Sequence, residues 1–207
     1  MLTTIVLGVD LAGSEKNVTG YCVILNDAIE DFGAVFSNEE ILSLVNKWRP
    51  KLVAIDAPLN FPRRGNLRDC DLLMKQINLN PLPPTLPGMR VLVNRAMWLV
   101  KELKSRGIDY IEVFPAGALR FLGYKKKPKS IAERLRIAKE LARVFTLNIK
   151  RYPARLLPDI FDAIICAITG YAYINGDYIE IKGEECRVIF PTLPMDQTKN
   201  QNFLILH

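Results

Sequence analysis

Two aspartates follow strand-like apolar runs in the first third of the chain. Asp10 ends IVLGVD and Asp56 ends LVAID, and small residues come soon after both. Ligand sites in open α/β sheets gather at the carboxyl ends of strands. Two such carboxylates on neighbouring strands would face each other and present the oxygen ligands that Mg²⁺ prefers. The alternative interpretation is that each aspartate only begins a turn.

A second pair of acids lies in the segment PDIFDAIICA. Asp159 and Asp162 are three residues apart at the start of a predicted helix, so they share a face. The alternative is capping, with Asp159 as the N-cap and Asp162 near the third helical position. If this turn lies over the strand ends, three or four carboxylates converge and repel one another. A pair of divalent ions would relieve the repulsion and could support phosphodiester cleavage.

The histidine and cysteine content narrows the possible chemistry. His207 is the only histidine, which excludes Ser-His-Asp catalysis, Cys-His catalysis and histidine-built zinc sites. The four cysteines form no C-x-x-C pair. We interpret them as small buried residues in a reducing compartment and predict neither a disulfide nor a zinc site. They are Cys22, Cys70, Cys166 and Cys186.

Composition and charge indicate a globular chain with an anionic partner. The 207 residues are 49% hydrophobic and 24% charged, which is enough for a large core. The formal net charge of +6 fits nucleic acid, although it also simply favours solubility. The N-terminus has no basic leader, and no apolar stretch is long enough to span a bilayer. We predict one domain over residues 1–192, a tail over 193–207, a cytoplasmic location and no membrane association.

The order of apolar patterns predicts a mixed sheet. Three strands with tight turns, TTIVLGVDLA, TGYCVIL and AIEDFGAVF, form an antiparallel meander. A helix capped at Ser37 or Asn38 leads to a fourth strand, which should run parallel to a neighbour. Two helices, RGNLRDCDLLMKQI and MRVLVNRAMWLVKELKSRG, form an insertion before the fifth strand, DYIEVFPAG. Three further helices and a closing hairpin follow, and the basic loop YKKKPK separates the first two of these helices.

These sequences together resemble the RNase H-like superfamily. GVDLAGS, VAIDAP and DIFDAIICA carry the resemblance, and the last is similar to the D-x-x-D-A helix of Holliday-junction resolvases of that fold. IDAPL, LRDCD, the Pro-rich stretch with Met89 and IEVFPAGAL more narrowly resemble the domain of unknown function 429 family, predicted RNase H-like nucleases. The resemblance covers residues 1 to about 192. It implies an α/β fold with a mixed five-stranded RNase H-like sheet flanked by helices, a helical insertion and a C-terminal hairpin.

The resemblance also implies an activity and a ligand set. The protein would be a nuclease that depends on Mg²⁺ or Mn²⁺, with nucleic acid, either DNA or RNA, as its partner. Glu112, at the end of the fifth strand, would be a further catalytic acid, and its alternative role is structural. The implied metal ligands, which are also the other catalytic residues, are Asp10, Asp56, Asp159 and Asp162.

Several basic residues are consistent with a nucleic-acid partner. Lys125–Lys129 and Arg63-Arg64 could contact phosphates, although charge runs are often only solvated loops. Arg68 and Asp71 are spaced to interact along a helix, either directed at a phosphate or as a surface ion pair.

Two other functions stay open. The chain could be an RNase H-like nucleic-acid or nucleotide binding protein without turnover. It could also be an actin-like or sugar-kinase-like phosphotransferase, because DLAGS resembles the first phosphate loop of those proteins. Such enzymes clamp the nucleotide between two domains, and this sequence has room for one and shows no internal repeat.

Overall fold

The computed structural model describes residues 3–150 and 155–194. These residues form one sheet and six helices, numbered here in chain order. The elements are β1 Ile5–Asp10, β2 Thr19–Leu25, β3 Ala28–Val35, α1 Asn38–Trp48, β4 Leu52–Asp56, α2 Asp69–Gln76, α3 Pro87–Ser105, β5 Asp109–Val113, α4 Pro115–Phe121, α5 Ile131–Val144, β6 Asn148–Ile149, α6 Pro158–Asn175, β7 Tyr178–Lys182 and β8 Arg187–Pro191.

The sheet has eight strands in the order β6-β3-β2-β1-β4-β5-β8-β7. β1, β2 and β3 form the predicted antiparallel meander, and β4 and β5 run parallel to β1. This confirms the predicted mixed sheet. Three strands beyond the predicted five extend it at both edges, and β7 and β8 form the predicted closing hairpin.

Helices cover both faces of the sheet. α1 and α3 pack on one face, where Leu7 and Val9 of β1 lie in the core. α6 packs on the other face against β1, β2 and β4. Because side chains alternate along a strand, Gly8 and Asp10 point toward α6 while Leu7 and Val9 point away.

Small residues let α6 lie directly on the strands. A Cβ atom on Gly8 would stand 2.3 Å from the backbone oxygen of Ala163, and one on Gly20 would stand 2.1 Å from that of Asp159. No side chain fits between these backbones. The first turn of α6 is therefore held against the ends of β1 and β2, which brings Asp162 close to Asp10.

The start of α2 differs from the prediction, which placed a helix over residues 64–77. The helix begins at Asp69, because Arg68 has an extended backbone and its N–H donates to the carboxylate of Asp71 at 3.0 Å. Gly65 adopts a positive φ of 69°. The segment before Asp69 is therefore a loop, and the helix is shorter than predicted because Arg68 and Asp71 form its amino-terminal cap.

The start of α6 also differs from the capping interpretation. Leu157 is the N-cap and Pro158 is the first helical residue, so Asp159 is second and Asp162 is fifth. No side chain makes a capping hydrogen bond there. Proline suits the first position because its missing N–H needs no partner. Capping therefore does not account for either aspartate.

The predicted absence of disulfides is wrong for one pair of cysteines. Cys70 in α2 and Cys186 before β8 are bonded, with Cα atoms 5.8 Å apart, and this bond joins α2 to the terminal hairpin. The carboxylate of Asp69 accepts the N–H of Glu185 in the same contact. Cys22 and Cys166 are free and buried, as predicted. The partners are 116 residues apart, so their spacing gave no indication that they pair.

The predicted tail lies largely outside the described residues, which end at 194. The division into a domain over 1–192 and a tail stays a prediction. Within residues 3–150 and 155–194, no helix is both long enough and apolar enough to cross a membrane.

Candidate metal centre

Three carboxylates from three elements converge at the carboxyl end of β1. Asp10 and Asp56 are direct partners in the parallel pairing of β1 with β4, so both side chains point to the face that α6 covers. Asp162 reaches the same point from α6. One oxygen from each of the three lies within 4.8 Å of the others. The strand register and the helix contact together produce the cluster.

Asp159 lies beside this cluster and outside the group of three. It is partly buried in the first turn of α6, three residues before Asp162. Its negative charge contributes to raising the pKa values of Asp10 and Asp162. Asp159 therefore acts on the cluster through its charge.

Glu112 lies on the opposite face of the sheet from the cluster. In the pairing of β4 with β5, Glu112 is the partner of Ile55, while Val113 is the partner of Asp56. Successive residues of a strand face opposite sides, so Glu112 points toward α3. Its carboxylate accepts the N–H of Leu59 at 3.0 Å. It also accepts two hydrogen bonds from Arg68, at 2.6 and 2.8 Å.

Arg68 joins two carboxylates in a buried network. Its guanidinium donates to Asp71 at 2.9 and 3.0 Å as well as to Glu112, and its side chain is only 1% exposed. Of the two predictions for Arg68 and Asp71, the ion pair is confirmed, but it is buried and not on the surface. Both guanidinium edges are used inside the protein, so this arginine is not directed at a phosphate.

Burial and mutual repulsion raise the pKa values of the clustered acids. Burial is the largest cause for Asp10, followed by the charges of Asp162 and Asp159, and together they raise its pKa to about 7. Burial and then the charge of Asp10 raise the pKa of Asp56. Burial raises the pKa of Asp162, although Lys127 acts in the opposite direction. The cluster therefore favours binding of protons or other cations.

The two oxygens of Asp162 have different surroundings. Oδ2 accepts a hydrogen bond from the ammonium of Lys127. Oδ1 is buried without a hydrogen-bond partner, and Asp162 as a whole is 4% exposed. A buried carboxylate oxygen without a partner is costly, and a hard cation is a ligand that removes the cost. Asp10, Asp56 and Asp162 therefore fit a divalent cation such as Mg²⁺ or Mn²⁺.

The sequence of the chain matches one protein-family model. The model is described as "Protein of unknown function (DUF429)", and it matches residues 8–186, most of the chain. The chain belongs to the DUF429 family. No curated protein matches this DUF429 chain at a significant level.

Among solved structures, one match to this DUF429 chain has a low TM-score. It is T. thermophilus RuvC in complex with Holliday junction substrate, at 13% sequence identity and a TM-score of 0.48. The match covers 84% of this chain and 96% of RuvC. At these values the likeness carries no conclusion about this chain.

Two buried arginines of the DUF429 chain hold backbone segments next to the carboxylate cluster. Arg134 of α5 donates to the carbonyl oxygen of Leu156 at 2.6 Å and to that of Lys129 at 3.1 Å, which joins the lysine loop to the start of α6. Arg95 of α3 donates to the carbonyl oxygen of Ala12 at 2.8 Å, just after Asp10. Each is 7% exposed.

Sequence reasoning missed both arginines and the contact of Lys127 with Asp162. The arginines lie within helices interpreted from their apolar faces, where a charged residue gives no sign of being buried. Lys127 belongs to a run of lysines whose only visible property was its charge. No pattern in the sequence links this run to Asp162, which lies 35 residues after Lys127.

Proposed function

We propose that this DUF429 protein is a metal-dependent nuclease that hydrolyses phosphodiester bonds. The observation that carries the proposal is the convergence of Asp10, Asp56 and Asp162, with one buried carboxylate oxygen that has no partner. Mg²⁺ or Mn²⁺ bound there would act as a Lewis acid and lower the pKa of a bound water.

The protein groups have distinct parts in this proposal. Asp10, Asp56 and Asp162 would be the metal ligands, and Asp159 would add negative charge beside them. α6 packs against β1 and β4 beside the cluster and buries Asp162, and burial strengthens the attraction between a carboxylate and a cation. Glu112, predicted as a further catalytic acid, is assigned a structural part because Arg68 binds both of its oxygens.

Charge near the cluster supports nucleic acid as the substrate. The chain carries a formal net charge of +6. Lys125 and Lys126 are exposed in the loop whose next residue, Lys127, contacts Asp162. Such a loop would attract a phosphate backbone to the carboxylates.

The test is cleavage of labelled DNA and RNA, single-stranded, double-stranded and branched, with Mg²⁺ or Mn²⁺. We expect the wild type to cut at least one substrate and Asp10→Asn to lose roughly a hundredfold or more of the rate, because a ligand is lost. Asp109→Asn is the matched control. Asp109 is exposed at the amino end of β5, opposite the cluster, and its substitution should leave the rate unchanged.

The opposite outcome identifies the alternative function. If the wild type neither cuts any substrate nor binds Mn²⁺ in calorimetry, the nuclease proposal fails. A gel-shift assay with the same nucleic acids in EDTA would then measure binding without turnover, which is the second interpretation of the sequence.

A further inference from the structure

The cluster of carboxylates already contains a cation from the protein, the ammonium of Lys127 on Asp162. We propose that Lys127 takes the place of a second divalent ion, so that the centre binds one Mg²⁺ or Mn²⁺ beside a lysine. The identity of the ion rests on the proposed function. The inference replaces the pair of ions expected from the sequence.

The charges of the cluster match a single divalent ion. Asp10, Asp56 and Asp162 with Lys127 carry a formal charge of −2 when the acids are ionised. Asp159 and Arg134, which also act on Asp162, have opposite charges and leave this value unchanged. One divalent cation neutralises the group. Two would leave the group with a charge of +2, which is unfavourable beside the buried carboxylate of Asp162.

The contacts of Asp162 also indicate a single divalent ion. Oδ1 is the oxygen without a partner, and Asp162 is one of the three residues that offer oxygens within 4.8 Å of one another. Oδ2 already accepts the hydrogen bond from Lys127. A second ion that used Oδ2 would have to displace the ammonium. One side of the carboxylate is thus left for a metal and the other side is occupied.

Lys127 is held where this contact can form. Arg134 binds the carbonyl oxygen of Lys129, two residues away, and that of Leu156, just before α6. The loop and the start of the helix therefore share one anchor. The Lys127 side chain is 47% exposed, so shortening or neutralising it opens no cavity in the core. A variant at this position can change the charge and keep the fold.

The test counts Mn²⁺ ions per chain by calorimetry and by electron paramagnetic resonance. We expect the wild type to bind one ion with the six-line spectrum of isolated Mn²⁺. Lys127→Met and Lys127→Gln should bind two, with a spin-coupled spectrum typical of ions that share carboxylates, about 4 Å apart. Lys126→Met is the matched control, because it removes the neighbouring exposed charge, and it should bind one ion.

Each other outcome has a definite meaning. Two coupled ions in the wild type, or one ion in both the wild type and the Lys127 variants, would overturn the inference, and metal-dependent cleavage would still support the proposed function. A wild type that binds no Mn²⁺ and cuts nothing would overturn both. The count of ions and the cleavage assay thus separate the two failures.

Discussion

Asp10 combines two unfavourable conditions for a negative charge. It is partly buried under α6, and it lies close to Asp56 and Asp162. Lys127 offsets part of this repulsion through its contact with Asp162. The free energy that the fold loses by holding these acids together is available again when a cation binds, which is how a metal centre couples binding to stability.

The pH dependence of stability should show this repulsion. The pKa of Asp10 is about 7 in the folded protein, against an ordinary value of 3.8. A raised carboxylate pKa means that the folded state holds a proton that the unfolded state has released. The contribution of Asp10 to stability therefore falls as pH rises from about 4 to about 7. Asp10→Asn carries no such charge and should be more stable than the wild type at pH 8, with little difference at pH 4.

Urea unfolding with EDTA at pH 4 and pH 8 measures this difference. Asp109→Asn serves again as the control, and it should not change the pH dependence. An Asp10→Asn variant that is less stable than the wild type at pH 8 would show that the Asp10 carboxylate makes a net favourable contact. In a separate measurement without EDTA, Mn²⁺ at pH 8 should stabilise the wild type more than Asp10→Asn.

Arg68 gives a second prediction for single residues. Arg68→Met leaves Asp71 and Glu112 buried without their cation, and we expect a loss of about 3–5 kcal/mol in the free energy of unfolding. Adding Asp71→Asn and Glu112→Gln to the same chain removes both charges and should recover much of the loss. Urea unfolding of the two variants tests this. Equal stability of the two would mean that the network contributes through shape and not through charge.

α6 determines where the acids meet. Its described residues are apolar on nearly every side, and it contacts β1, β2 and β4 at once. Gly8, Gly20 and Gly170 provide the close approach, since a Cβ at each would stand under 3.0 Å from atoms across the contact. A helix packed this closely cannot slide without separating Asp162 from the strand ends.

The contact with Gly8 can be tested by one added methyl group. Gly8→Ala places a Cβ 2.3 Å from the backbone of Ala163, so α6 must move away, at a cost of about 3 kcal/mol. Binding of Mn²⁺ should weaken as Asp162 moves. Gly88→Ala is the matched control in α3, because nothing lies within 4 Å of its Cβ, and better helix propensity should stabilise it by up to about 1 kcal/mol.

Thermal unfolding and Mn²⁺ calorimetry of both glycine variants provide the measurement. If Gly8→Ala binds Mn²⁺ as tightly as the wild type, the position of α6 does not control the metal centre. If both variants lose stability equally, the close approach of α6 has no special cost.

At the scale of the molecule, the sequence was informative where one strand or helix carried its own pattern. The strands that end at Asp10 and Asp56, and the helix with Asp162, were visible as apolar runs followed by acids. Their meeting depends on the register of β1 with β4, which a single sequence does not state. Alternation along DYIEV places Glu112 on the face opposite to Val113. Only the pairing of β5 with β4 shows that Val113, and not Glu112, shares a face with Asp56.

Contacts between residues far apart in the chain could not be predicted from the sequence for the same reason. Arg68 forms an ion pair with Glu112, and Cys70 forms a disulfide with Cys186. Neither spacing follows a helix or strand period. The repeating patterns therefore predicted individual helices and strands. The contacts between these elements are visible only in the three-dimensional structure.

The disulfide should contribute to stability through the unfolded chain. A bond that closes a loop of this length removes much chain entropy from the unfolded state, worth about 5 kcal/mol. We expect the double variant Cys70→Ser with Cys186→Ser to lose about that amount in oxidising buffer. A reducing agent should bring the wild type close to the variant. An unchanged free energy of unfolding in the variant would show that the hydrogen bonds of Asp69 hold the hairpin without the bond.

The same bond divides the covalent structure into a ring and two arms. Asp162 and the lysine loop belong to the ring between Cys70 and Cys186, whereas Asp10 and Asp56 belong to the amino-terminal arm. One tryptic cut after Lys125 or Lys126, both exposed, would open the ring without releasing a fragment. A non-reducing gel would show a single band and a reducing gel two. The three carboxylates would thus stay tethered in one molecule after the backbone beside them is cut.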